Sequence, residues 1–213
     1  MGYDAYIFDL DGTVLDTLPD LVQITNMALA QHGMPERTSD EVNSFVGNGA
    51  RVLLQRAAVA GTSDEEIDEL LALWRSLYPE FGHKYTKPYD GMPEALAGLK
   101  AQGAKLGVLS NKFDAATRSV IGRHYPGVFD IVRGEGPETP RKPDPTGLLR
   151  MMKDLDVEPN RVAYVGDSGS DMVVAVNAGA VAVGVSWGYR PASQLWESGA
   201  TIVIDTPLDL LKL

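Results

Sequence analysis

Asp9 and Asp11 stand two residues apart where the apolar run Ala5-Tyr6-Ile7-Phe8 gives way to Asp9-Leu10-Asp11-Gly12-Thr13-Val14-Leu15-Asp16. If the chain curls as it leaves a strand, one carboxylate can attack an electrophile while the other moves protons. A cation can then sit between Asp9 and the substrate. An exposed acidic turn is the plainer reading, because Asp-Gly alone marks one. A second acidic cluster follows another apolar run, in Tyr164-Val165-Gly166-Asp167-Ser168-Gly169-Ser170-Asp171. Asp167 is a candidate magnesium ligand, since that ion prefers carboxylate and water oxygens. Asp171, one helical turn on, can orient a neighbour or meet the metal through water. Taken singly, the segment also reads as a turn and helix cap.

Two further segments carry groups that suit a phosphoryl ligand. Val108-Leu109-Ser110-Asn111-Lys112 ends an apolar run in a hydroxyl and an amide, Ser110 and Asn111, each able to hydrogen-bond a phosphate oxygen. Arg141-Lys142-Pro143-Asp144-Pro145 sets Lys142 just before a helix start, where its charge can balance both a phosphate and Asp9. Singly, Ser110 reads as a helix cap and Lys142 as a solvated surface charge. Together the four places share one property, which is that each lies at or just beyond a strand end.

The elements that must position them follow a βαβ rhythm. Short apolar runs predict strands at Ala5 to Phe8, Leu106 to Leu109, Val128 to Val132, Val162 to Val165, Val181 to Val185 and Thr201 to Ile204. They lack clean alternation, as expected where helices cover both faces of a parallel sheet. Helices are predicted at Met92 to Ala101, Asp114 to Ile121, Pro145 to Leu155 and Ser170 to Asn177. This is the pattern of a doubly wound, Rossmann-like α/β sheet, whose ligands bind at the carboxyl ends of the strands. The stretch from about Thr17 to Pro79 interrupts it with helical periodicity alone. Ile67, Leu70, Leu71, Trp74, Leu77 and Tyr78 line one face, with Ser63-Asp64-Glu65-Glu66 as the cap. Leu18, Leu21, Val22 and Thr25 suggest a first helix, and Val52, Leu53, Arg56 and Ala57 another opening after Gly47-Asn48-Gly49. The expected organisation is a core of residues 1–16 and 82–213 with an inserted all-helical subdomain at 17–81.

Composition narrows the function classes. A net charge of -10 over 213 residues argues against a nucleic-acid or anionic-membrane partner. With no cysteine, thiolate chemistry and Cys-ligated zinc are excluded. His32, His83 and His124 are scattered without the pairing of a zinc site. No run reaches the roughly 20 apolar residues of a membrane span, and no secretory signal pattern opens the chain. A cytoplasmic protein, monomeric or homodimeric, acting on a small phosphorylated metabolite is expected. Trp74, Tyr85, Tyr89 and Trp196 read as packing residues.

The four segments, in this order, resemble the motifs of the haloacid-dehalogenase-like hydrolase superfamily, and the inserted helices resemble its cap. The resemblance implies Asp9 as nucleophile and Asp11 as the acid that protonates the leaving group and then activates water. It implies a Mg2+ held by Asp9, the Asp11 backbone carbonyl and Asp167. Ser110 and Lys142 would hold the phosphate, with Asp171 and Thr13 in support. An acid at position 11 favours phosphatase or phosphomutase chemistry over dehalogenation. Val183-Gly184-Val185-Ser186-Trp187-Gly188-Tyr189-Arg190-Pro191 and Phe45-Val46-Gly47-Asn48-Gly49 with Arg51 look like segments of phosphoglycolate phosphatases and close relatives. Asn48, Gly49 and Arg51 are accordingly expected at the carboxylate end of 2-phosphoglycolate. A packed Trp187 and a simple joint at Gly47-Asn48-Gly49 are the plainer readings of the same residues. The alternatives are a broad-range sugar-phosphate phosphatase, a pyrophosphatase and a β-phosphoglucomutase-like enzyme. A non-catalytic binding protein on this fold would be expected to lack one of Asp9, Asp11, Lys142 or Asp167, and all four are present.

Overall fold

Strand β1 (Ala5–Phe8) is buried at every position, so it must lie inside a sheet covered on both faces. The computed structural model, which describes residues 2–213, places it there. The chain forms two compact units, one from the start to Asp16 with Pro88–Leu213, the other Thr17–Lys87. Two-residue strands β2 (Leu15–Asp16) and β3 (Lys87–Pro88) form a small separate sheet.

The larger unit continues with β4 (Lys105–Phe113), β5 (Ile131–Glu135), β6 (Val162–Gly166), β7 (Val181–Val185) and β8 (Ile202–Ile204). Their order is β5-β4-β1-β6-β7-β8, and every pairing is parallel. The chain steps from β1 outward through β4 to β5, then returns to β6 on the other side of β1. The strand order therefore reverses between β1 and β6, the place where a doubly wound sheet opens its ligand crevice.

In the smaller unit, α1 (Leu18–Gln31), α2 (Ser39–Phe45), α3 (Ala50–Ala57) and α4 (Asp64–Phe81) are the helices. The cap expected at Ser63 is present, with Ser63 Oγ accepting the Glu66 N–H and the Glu66 carboxylate accepting the Ser63 N–H. Trp74 is buried and its indole N–H donates to Thr25 Oγ1 at 3.3 Å. Helix α2 was not anticipated. Its seven residues, Ser-Asp-Glu-Val-Asn-Ser-Phe, bury only Val42, too little to show a periodic face, and a Thr38–Glu41 capping box starts it. The unit runs to Lys87, beyond the expected boundary at 81. The reason is Asp20 in the first turn of α1, whose buried carboxylate accepts from the Tyr85 and Thr86 N–H groups and the Thr86 hydroxyl.

Crossover helices α5 (Met92–Ala101), α6 (Asp114–His124), α7 (Thr146–Leu155) and α8 (Gly169–Ala178) flank the large sheet. Leu148, Met151, Met152 and Leu155 of α7 recur at three- and four-residue steps and enter the core with Ile7, Leu109 and Tyr164. Burial stabilises by about 1.5–3 kcal/mol per side chain of this size. Helix α9 (Ala192–Glu197) and 3-10 turns at Pro159–Arg161 and Pro207–Lys212 complete the unit.

Strand β5 begins at Ile131 rather than at the expected Val128. The Val128 N–H closes a turn on the Tyr125 carbonyl, and Phe129 packs its ring edge-on against Phe8 and Tyr125. Their apolar character serves that corner and not the sheet. Tyr85 and Trp196, expected to pack, are half exposed, at 52% each.

Candidate functional site

The backbone at the end of β1 is tied to β6, with the Asp9 N–H donating to the Val165 carbonyl at 2.8 Å. Asp9 and Asp167 thereby leave neighbouring parallel strands at the switch point. Ser110, Asn111 and Lys112 occupy the irregular end of β4, on the other side of β1, where its register with β5 shifts between Leu109 and Phe113. Such an irregularity re-aims side chains that a regular strand would send to alternate faces.

Lys142 is the centre of the arrangement. Its buried ammonium lies 2.8 Å from Asp9 Oδ1 and 2.7 Å from Asp171 Oδ1, and it donates to the Leu109 carbonyl at 3.2 Å. Asn111 braces the Lys142 backbone. Asn111 Oδ1 accepts the Lys142 N–H at 2.7 Å, and its amide nitrogen donates to the Lys142 carbonyl at 3.3 Å. One N–H of the amide expected to meet a phosphate oxygen is thus taken by the Lys142 peptide. Asp171 is fully buried and also accepts from Ser168 N and Ser168 Oγ at 2.9 and 2.6 Å. Gly166 permits its approach, because a Cβ there would lie 2.4 Å from Asp171 Cβ.

Asp167 is gripped at both oxygens. Thr13 Oγ1 donates to Oδ1 at 3.1 Å and the Tyr189 N–H to Oδ2 at 2.8 Å. Lys112 is buried and places its ammonium 2.7 and 2.8 Å from the two carboxylate oxygens of Asp11. Neither Lys112 nor Tyr189 was singled out from sequence. Lys112 stands two residues beyond Ser110 at a strand end, and that position was the available signal. The Tyr189 contact is through the backbone and leaves no trace in residue type.

The electrostatics follow from three clustered carboxylates, two of them paired with one ammonium. One ligand atom from each of Asp9, Asp167 and Asp171 lies within 4.8 Å of the others. Burial pushes the Asp9 carboxyl up to about 7, against the pull of Lys142. Burial, with the charges of Asp171 and Asp9, pushes Asp167 up to about 8. Burial disfavours the Lys142 ammonium as well, but Asp171 and Asp9 together outweigh it and hold its pKa well above the usual lysine range. Asp9 Oδ1 is buried without a hydrogen bond of good geometry. Three clustered buried carboxylates, more negative charge than the one Lys142 ammonium balances, fit a hard divalent cation.

The helical unit holds the other expected residues. Asn48 is exposed, and Gly49 starts α3 with φ 80°. The Arg51 guanidinium pairs with Asp64 Oδ1 at 2.8 Å and Asp68 Oδ1 at 3.0 Å, both on α4.

Parallel strands thus deliver carboxylates and a buried lysine to the switch point of a doubly wound α/β sheet. The sequence matches the haloacid dehalogenase-like hydrolases over residues 6–185, and the chain belongs to that family. It is 34% identical to phosphoglycolate phosphatase 1 of Pseudomonas aeruginosa over 211 residues, covering 96% of this chain and 77% of that protein. It is 32% identical to the N-acetylmuramic acid 6-phosphate phosphatase of the same organism, over 100% of this chain and 95% of the relative. The solved structure of a predicted phosphoglycolate phosphatase from Haemophilus somnus superposes with a TM-score of 0.92 at 29% identity, over 99% of this chain and 97% of that one.

Proposed function

We propose that the protein is a Mg2+-dependent phosphatase that hydrolyses a small phosphomonoester bearing a carboxylate, with 2-phosphoglycolate the first candidate. The observation that carries this reading is the Lys142 ammonium between Asp9 and Asp171 with Asp167 alongside. On this reading Asp9 is the carboxylate nucleophile, Lys142 the phosphate counter-charge, and the clustered carboxylates the hard oxygen ligands. Both relatives described above are named for substrates that join a phosphoryl group to a carboxylic acid.

In this reading an Asp9 carboxylate oxygen attacks phosphorus, forming an aspartyl phosphate as the bond to the leaving oxygen breaks. Asp11 gives its proton to that oxygen, then takes one from the water that attacks the phosphoryl group and frees inorganic phosphate and Asp9. Lys142 offsets charge on the phosphoryl oxygens in both steps, and the Ser110 hydroxyl donates to one of them. Asp9, the Asp11 carbonyl and Asp167 would hold the Mg2+, which when bound supplies charge stabilisation and orientation of the phosphoryl group. Asp171 and Thr13 keep Lys142 and Asp167 in place, and Asn111 fixes the Lys142 peptide. Asn48, Gly49 and Arg51 of the helical unit are the residues proposed to read the substrate's carboxylate end.

Similarity to the N-acetylmuramic acid 6-phosphate phosphatase favours a second reading, a sugar-phosphate phosphatase. Phosphate release with Mg2+ over 2-phosphoglycolate, N-acetylmuramic acid 6-phosphate, neutral hexose phosphates, nucleotides and pyrophosphate separates the two. A kcat/KM for 2-phosphoglycolate at least tenfold above the rest is expected. Preference for the sugar acid supports the second reading, and release from none of them overturns both.

A further inference from the structure

The segment Ser186–Tyr189, which follows β7, takes no part in the proposed chemistry, yet it closes a ring of hydrogen bonds around the cation site. The Trp187 indole N–H donates to the Thr13 carbonyl at 3.0 Å. The Thr13 hydroxyl donates to Asp167 Oδ1 at 3.1 Å, and the Tyr189 N–H donates to Asp167 Oδ2 at 2.8 Å. Trp187 and Tyr189 are two apart in sequence, so the ring returns through Gly188.

Gly188 shows how tightly this segment is seated. A Cβ at that position would lie 2.2 Å from Asp167 Cβ and 2.6 Å from the Gly12 carbonyl oxygen. A Cβ on Gly12, whose φ is 82°, would lie 2.4 Å from Asp167 Oδ2 and 2.8 Å from the Tyr189 ring. The backbone after β7 is thus wedged against both the loop that follows Asp9 and the carboxylate that follows β6. Both loops supply cation ligands in the proposed function, and they come from different strands. The Thr13 hydroxyl bridges them directly, and the segment after β7 bridges them a second time, with the Trp187 indole on the Thr13 carbonyl and the Tyr189 N–H on Asp167.

We propose that Trp187 is a positioning residue for the cation site. By holding the Thr13 carbonyl, it fixes the Asp9–Thr13 loop against Asp167 and so sets the separation of the ligand oxygens before the ion arrives. Groups that hydrogen-bond metal ligands, as the Thr13 hydroxyl does Asp167, typically change affinity by about 10- to 100-fold when removed, and Trp187, one bond further out, acts at the lower end of that range. Trp187→Phe keeps an aromatic ring beside Tyr89, 6.4 Å away in the parent, and removes the one N–H. The inference rests on the cation reading, so the test begins with the parent protein.

Calorimetric titration of the full chain with Mg2+ gives the parent Kd, and absence of binding there overturns the cation reading itself. If the parent binds, Trp187→Phe is expected to weaken Kd about tenfold, with the melting temperature of the metal-free protein within a few degrees of the parent. A Kd within twofold overturns the role of Trp187. A fall in metal-free melting temperature with Kd unchanged also overturns it, since the residue is then only a staple. A measurement without mutation runs beside it, because the chain has three tryptophans. During Mg2+ titration of the 15N-labelled parent, the Trp187 indole resonance is expected to shift while those of Trp74 and Trp196 hold still. A stationary Trp187 signal at Mg2+ saturation overturns the inference.

Discussion

Lys112 holds both carboxylate oxygens of Asp11, at 2.7 and 2.8 Å, from a side chain that is only 3% exposed. Asp11 is the proton-handling group of the proposed reaction, and this ion pair holds its carboxylate in the ionised form that the water-attack step needs. Lys112→Met keeps the length of the side chain and removes the charge. The expected result is a folded protein with kcat reduced about 10- to 100-fold, as for loss of a group that orients a catalytic acid. Steady-state kinetics with circular dichroism check it, and kcat within twofold of the parent would show that Asp11 needs no such restraint.

Asp9→Asn removes the attacking carboxylate but leaves a side chain of the same shape beside Lys142. Turnover should fall at least about a thousandfold, since the two-step path is lost. The melting temperature should stay close to the parent's, because Lys142 keeps Asp171 as its buried partner. Phosphate release measured beside thermal unfolding gives both answers. Near-normal turnover in the folded variant would remove Asp9 from the nucleophile's place.

Removal of Mg2+ by a chelator should abolish phosphate release, and adding it back should restore it. Mg2+ should also raise thermal stability, by about 2.7 kcal/mol at a concentration 100 times Kd. Asp167→Asn should lose that stabilisation, as Asp167 is one of the three clustered carboxylates. Equal Mg2+ stabilisation of parent and variant would place the ion elsewhere.

Arg51 pairs with the exposed carboxylates of Asp64 and Asp68, contacts that solvent screens and that add little to stability. Arg51→Gln should therefore change the melting temperature little. If Arg51 reads a substrate carboxylate, KM for 2-phosphoglycolate should rise about tenfold while KM for a neutral hexose phosphate holds. Parallel changes for both substrates would leave Arg51 as a surface brace of the helical unit.

The C-terminal turn titrates in acid. The Lys212 ammonium and the Thr206 hydroxyl and N–H hold the Asp209 carboxyl down to about 2, from an ordinary value of 3.8. A depressed carboxylate stabilises the fold above its unfolded value, and that contribution is lost as pH falls through the folded one. Order in the turn Pro207–Lys212 should thus weaken between about 4 and 2, and not between 5 and 8. An NMR titration of the Asp209 carboxyl with a midpoint near 4 would contradict this.

Much of the architecture was legible in local sequence. Fully apolar runs such as Ala5–Phe8 and Val162–Val165 imply strands buried on both faces, and acids directly after them imply a site at the carboxyl edge of the sheet. Strand composition and the spacing of helical faces are written within about ten residues, so they can be read without knowing what packs where. Partners across the chain are not written that way. Asp11 meets Lys112 across 101 positions and Thr13 meets Trp187 across 174. Asn111 turned to the Lys142 peptide, and Val128 and Phe129 turned to a corner instead of to strand β5. The residue types at Asp9, Asp11, Lys142 and Asp167 determined what chemistry was available. Only the tertiary structure decided which charges face each other, because hydrogen bonds and ion pairs act over about 3 Å, and folding alone brings distant segments that close.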